Sequence, residues 1–85
     1  MAVQGTLRLV IDFKAPEPLW RQVADVIRHR IDTGEYPGCS AIPSIMKLTA
    51  EFGVAEATVR KALDALKQDG VLIAAPRRGT FVCGN

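Results

Sequence analysis

Histidine is almost missing from this 85-residue chain, cysteine is scarce, and aromatic residues make up only 6% of it. The single histidine, His29, leaves no basis for a His-based metal centre or a Ser–His–Asp triad. Cys39 and Cys83 are too few for a disulfide scaffold, and their spacing does not match a metal-ligand pair. No apolar run approaches the ~18 residues that cross a membrane. The first residues lack a basic segment followed by an apolar one, so neither a membrane segment nor a signal peptide is expected. Repeats and low-complexity tracts are also lacking. These absences predict no catalytic residues, no metal and no cofactor, and hence no enzyme.

What is present is ordinary globular material: 48% hydrophobic and 24% charged residues. The length suits one small domain, which buries roughly 60–65% of its unfolded surface. The formal net charge is +2, unevenly placed. Residues 1–59 carry six Lys/Arg against seven acids, whereas residues 60–85 carry five (Arg60, Lys61, Lys67, Arg77, Arg78) against Asp64 and Asp69. A basic C-terminal part suits a polyanion partner, although a solvated face reads the same way.

Leu7, Leu9, Ile11 and Phe13 alternate, predicting a strand with one apolar face. Such a strand packs on its own domain or pairs with a second chain. Pro16 and Pro18 end it, and Pro18 opens a helix where its missing N–H costs little. We therefore divide the chain into an arm, 1–16, and a domain, 17–85. Leu19, Val23, Ile27 and Ile31 give the first helix its buried stripe, with Trp20 and Ala24 beside it, and Gly34 ends it. A loop follows, closing in a very short strand at residues 41–42. Pro43 and Ser44 start a second helix, with Ser44 as its cap and Ile45, Leu48 and Phe52 as its apolar side. Gly53 makes the turn into a third helix over about 55–69, which Gly70 ends. Residues 71–75 and 80–83 read as two strands, joined by Pro76-Arg77-Arg78-Gly79 as a hairpin tip.

Two helices around a tight glycine turn, followed by a basic-tipped hairpin, describe an α+β winged helix-turn-helix. In that arrangement the first helix of the pair holds the second off the core, so its outer face can enter a major groove. On a wheel of about 100° per residue, Val59, Ala62, Leu63 and Leu66 face inward. Ala57, Lys61, Asp64 and Gln68 fall opposite, with Thr58 and Arg60 on the flanks. Small and basic residues near the helix start suit close approach to phosphates and base edges. Asp64 would be repelled further along.

The series Pro43-Ser44, Leu48, Phe52-Gly53-Val54, Thr58-Val59-Arg60, Ala62-Leu63, Leu66 and Gly70 resembles the DNA-binding domain of the GntR family of bacterial transcription regulators. Arg78-Gly79-Thr80-Phe81-Val82 is similar to that family's wing. Pro18-Leu19-Trp20-x-Gln22-Val23 resembles its opening helix, especially in the HutC and YtrA branches. The likeness covers about residues 17–83. It implies double-stranded DNA as partner and a repressor acting by promoter occupancy in the cytoplasm, at the nucleoid. The implied recognition helix is about 55–69 in the major groove, with wing 76–80 on the backbone or minor groove. Ser44, Lys61, Arg77 and Arg78 would hold phosphates, with Lys47 close by. Ala57, Thr58 and Arg60 would meet base edges, and Gly79 and Thr80 would complete the wing contact.

The sequence departs from the family pattern at several of these places. Met46 and Glu56 stand where arginines are common, Ala57 replaces a frequent threonine, Ala55 takes the N-cap, and Arg77 replaces a wing glycine. Glu56 either repels phosphate or accepts a hydrogen bond from a cytosine amino group. Family members usually carry a C-terminal effector domain. This chain stops three residues after Val82 and shows no small-molecule effector site, reading as a freestanding or truncated reader. A homodimer on DNA is expected, because one small module reads weakly. Rival readings are a winged-helix protein-interaction module and an excisionase-like architectural DNA-binding protein. If residues 41–42 pair with 81–82, the thiols of Cys39 and Cys83 approach each other. Free thiols and a redox-linked clip are the two outcomes.

Overall fold

A computed structural model describes residues 11–83. Three helices and one hairpin follow in the order α1 (Leu19–Asp32), α2 (Ile45–Phe52), α3 (Glu56–Gln68), β1 (Leu72–Ala75) and β2 (Gly79–Val82). This is a winged helix. The strands are antiparallel, with Leu72 opposite Val82 and Ala75 opposite Gly79. A third chain segment, residues 39–42, runs beside β2, with Ala41 bridged to Phe81. Ile42 donates its N–H to Thr80 O at 2.9 Å, and Val82 donates to Ser40 O at 2.8 Å. The short 41–42 pairing read from the sequence is therefore a single bridge. Cys39 and Cys83 are exposed free thiols.

Local chemistry sets the helix ends. Pro18 is the N-cap of α1, one residue outside the helix, and its carbonyl accepts from Arg21 and Gln22. Gly53 caps α2 with φ 67°, a left-handed conformation that a Cβ disfavours, and so turns the chain into α3 within three residues. At the end of α3, Gly70 has φ 79°, its N–H reaches Lys67 O, and Val71 N–H reaches Leu66 O. These two bonds form a Schellman closure, and they aim β1 back along the helix.

The core lies between α1 and α3, closed by α2 and the hairpin. Val23, Val26 and Ile27 of α1 meet Val59, Ala62, Leu63 and Leu66 of α3, with Leu48, Phe52, Leu72 and Val82 sealing the sides. Leu19, Trp20 and Ile31 are only partly buried at its edges. Gln22, which no apolar pattern selects, is 0% exposed.

That glutamine explains where the predicted N-terminal strand departs from the structure. Residues 7–10 lie outside the described residues. Residues 11 and 12 carry no strand pairing, and a turn begins at Phe13, which is 59% exposed instead of lying on an apolar face. The Gln22 side chain accepts from Asp12 N–H at 2.7 Å and donates to Asp12 O at 3.0 Å and Glu17 O at 3.1 Å. The Asp12 carboxylate then accepts from Lys14 N–H at 2.9 Å, which bends the chain into an Asx turn. A buried amide thus takes the backbone groups that a neighbouring strand would have used. Among the described residues, no helix is long and apolar enough to cross a membrane.

Candidate nucleic-acid interface

Three backbone features bring the site together. The first is the start of α2, where Ser44 sits in extended conformation and its Oγ accepts from Lys47 N–H at 3.2 Å. The predicted cap is therefore present, and it fixes the first turn of α2. The second is the start of α3, where Ala55 takes the N-cap with no side-chain bond and Glu56 supplies the acid of the first turn. The third is the hairpin tip. Arg78 N–H reaches Ala75 O at 3.0 Å, and Arg77 occupies the left-handed region at φ 65°. Pro76 followed by a residue at positive φ is the pattern of a type II turn, normally completed by glycine.

Between these three ends lies an open groove of about 590 Å³. Ser44 and Met46 line it from α2, Glu56 and Arg60 from α3, and Arg78, Gly79 and Thr80 from the wing, over Ile42 and Leu63. Five of the ten predicted site residues (Ser44, Arg60, Arg78, Gly79, Thr80) thus meet on one surface. The other five lie outside the groove lining. Lys47, Ala57 and Arg77 are exposed, and Thr58 is half-buried with its N–H bonded to Ala55 O at 3.0 Å. Lys61 turns toward α1, its Nζ 5.3 Å from the centre of the Trp20 ring, and the Arg21 guanidinium lies 5.5 Å from the same ring. Trp20 is therefore a half-buried platform for two cations as well as a wall of the core.

Met46 and Glu56, read as departures and not as site residues, stand inside the groove. Met46 is 80% exposed. The Arg60 guanidinium is held by the Glu56 carboxylate through Nε at 3.0 Å and Nη2 at 2.5 Å, one turn apart on α3. The i,i+4 spacing was the signal for this pair. The groove therefore carries two guanidinium groups and one carboxylate.

A second ionic cluster ties α1 to α2. Arg30 of α1 donates to Tyr36 Oη at 2.7 Å and is ion-paired with Glu51 of α2. Its guanidinium also lies 5.3 Å from the centre of the Phe52 ring. The bond to Glu51 raises the Arg30 pKa further, against the opposing effect of burial. Among the described residues, no cluster of three or more His, Cys, Asp or Glu could hold a metal ion.

Residues 19–82 match the family model described as bacterial regulatory proteins, gntR family. The chain belongs to that family. Among curated GntR relatives, it is 42% identical over 66 residues to the mannosyl-D-glycerate transport/metabolism system repressor MngR of Escherichia coli (strain K12). That match covers 78% of this chain and 28% of the relative. It is 36% identical over 69 residues to the histidine utilization repressor of Pseudomonas putida, covering 81% and 28%. The chain thus spans about three tenths of the length of the curated relatives it matches. Among solved structures, YtrA from Sulfolobus acidocaldarius, a GntR-family transcription factor, superimposes with a TM-score of 0.83 at 32% identity. The match covers 92% of this chain and 82% of YtrA. AraR(DBD) in complex with operator ORX1 gives a TM-score of 0.80 at 32% identity, over 89% of this chain and 98% of that one.

Proposed function

We propose that this GntR-family chain is a sequence-specific reader of double-stranded DNA and works in a transcriptional repressor that acts by occupying a promoter. The observation that carries this reading is the groove, where the start of α2, the start of α3 and the wing present Ser44, Arg60 and Arg78 on one open surface. Two helix N-termini and two guanidiniums there suit the charge of a phosphate backbone. The start of α3 enters the major groove, with Ala57, Thr58 and Arg60 at base edges. Ser44, Lys47 and Lys61 hold phosphates. The wing, Arg77 to Thr80, follows the backbone into the minor groove. The chain acts as a homodimer on two half-sites, in the cytoplasm at the nucleoid, and performs no catalysis. Solved operator complexes of AraR(DBD), which shares the fold at 32% identity, support the DNA reading.

Fluorescence anisotropy tests it, using a duplex from upstream of the chain's own gene and a scrambled duplex, each at two salt concentrations. The expected result is tighter binding to the first, a preference lost in Arg60→Ala, and a salt slope lower by about 1 in Arg78→Ala. Equal weak binding to both duplexes, with Arg60→Ala no worse, would refute it and turn attention to protein partners at the exposed Met46. Ultracentrifugation with a two-half-site duplex checks the dimer, and one protomer per duplex would remove it.

A further inference from the structure

We propose that Glu56 and Arg60 act as one reading unit for a guanine and the cytosine of the adjoining base pair, with Glu56 the specificity-determining residue. The inference rests on the DNA-reading function proposed above. An acid at the start of a helix facing DNA looks like a defect, yet Glu56 does not face solvent alone. Both of its bonds to Arg60, from Nε and Nη2, fall on Oε2. A guanidinium has five N–H donors in a fixed plane. With the Nε edge held by Glu56, the edge formed by Nη1 and the second Nη2 hydrogen is left unused by that pair. Those two parallel donors match guanine O6 and N7. Holding the long arginine stem in the free protein also reduces the ordering cost of that contact. The second carboxylate oxygen, Oε1, takes no part in the pair and is an acceptor for the N4 amino group of cytosine. The two side chains are 55% and 61% exposed, so a base edge can reach them. Met46 offers an apolar surface on the α2 side of the same groove.

Selection from a random-sequence duplex library, with the full chain and with Glu56→Gln, Glu56→Ala and Arg60→Ala, tests this unit. Anisotropy on single-base variants of the selected site then gives magnitudes, and circular dichroism confirms that each variant is folded. The wild-type consensus is expected to contain adjoining C and G, with replacement of the cytosine weakening binding about tenfold or more. Glu56→Gln should lose that discrimination at the cytosine alone, and Glu56→Ala should also weaken the preference for guanine. A consensus untouched by either Glu56 variant, or Glu56→Ala binding every sequence more tightly by one common factor, would overturn the proposal. In those cases a consensus lost in Arg60→Ala leaves the DNA-reading function standing. A wild-type chain that selects no sequence removes both.

Discussion

Replacing Gln22 with leucine keeps the side-chain volume and removes every hydrogen bond it makes. The wild-type amide is wholly buried and joins α1 to the arm through Asp12 N–H and Asp12 O, and to the residue just before the helix-opening proline through Glu17 O. Each such bond contributes about 1 kcal/mol net, so the three together approach 3 kcal/mol. Asp12 is exposed and its backbone can return to water, which brings the expected loss to about 2 kcal/mol. For a domain this small, that is a large part of a total near 5 kcal/mol. It corresponds to a fall in Tm of about 8–16 °C. Urea unfolding followed by circular dichroism gives the free energy. Amide hydrogen exchange gives the local effect, since the Asp12 N–H should lose its protection before the α1 core does. A variant as stable as the wild type, with the Asp12 amide still protected, would refute the idea that one buried amide anchors the arm.

Other substitutions test the local chemistry. Ser44→Ala should cost about 1 kcal/mol by removing the cap of α2, and Ala55→Ser should return a similar amount at the uncapped start of α3. Thermal unfolding checks both. Arg77→Gly should stabilise by about 1 kcal/mol, because arginine at φ 65° pays for a left-handed conformation that glycine adopts without strain. The proof is a higher urea midpoint at unchanged slope. Arg30→Met should cost about 2 kcal/mol, because it leaves Glu51 and the Tyr36 hydroxyl without their shared partner. The double variant with Glu51→Gln should lose less than the sum of the singles.

Most of the fold was legible in the sequence, because short-range physics decides it. Pro18, Ser44, Gly53 and Gly70 mark helix ends through missing donors, a hydroxyl acceptor and tolerance of positive φ. The four-residue stripe in α1 and the inward face of α3 follow from the helical period, whereas the i,i+4 pairing of Glu56 with Arg60 went unread in the sequence although the same period carries it. The alternation at Leu7 to Phe13 misled at its described end. A period of two reports only which faces could be buried, and it was Gln22, ten residues on, that took the Asp12 backbone and turned the chain.

Tertiary structure decided everything that joins distant segments. Arg30 meets Glu51 twenty-one residues away, Lys61 lies over Trp20, and Ser44, Arg60 and Arg78 converge on one groove. No local period encodes such meetings, which depend on how α1, α3 and the hairpin settle against a shared core. For the same reason the sequence could name Met46 and Glu56 as departures, and only the packing of α2, α3 and the wing put them in the lining of one groove.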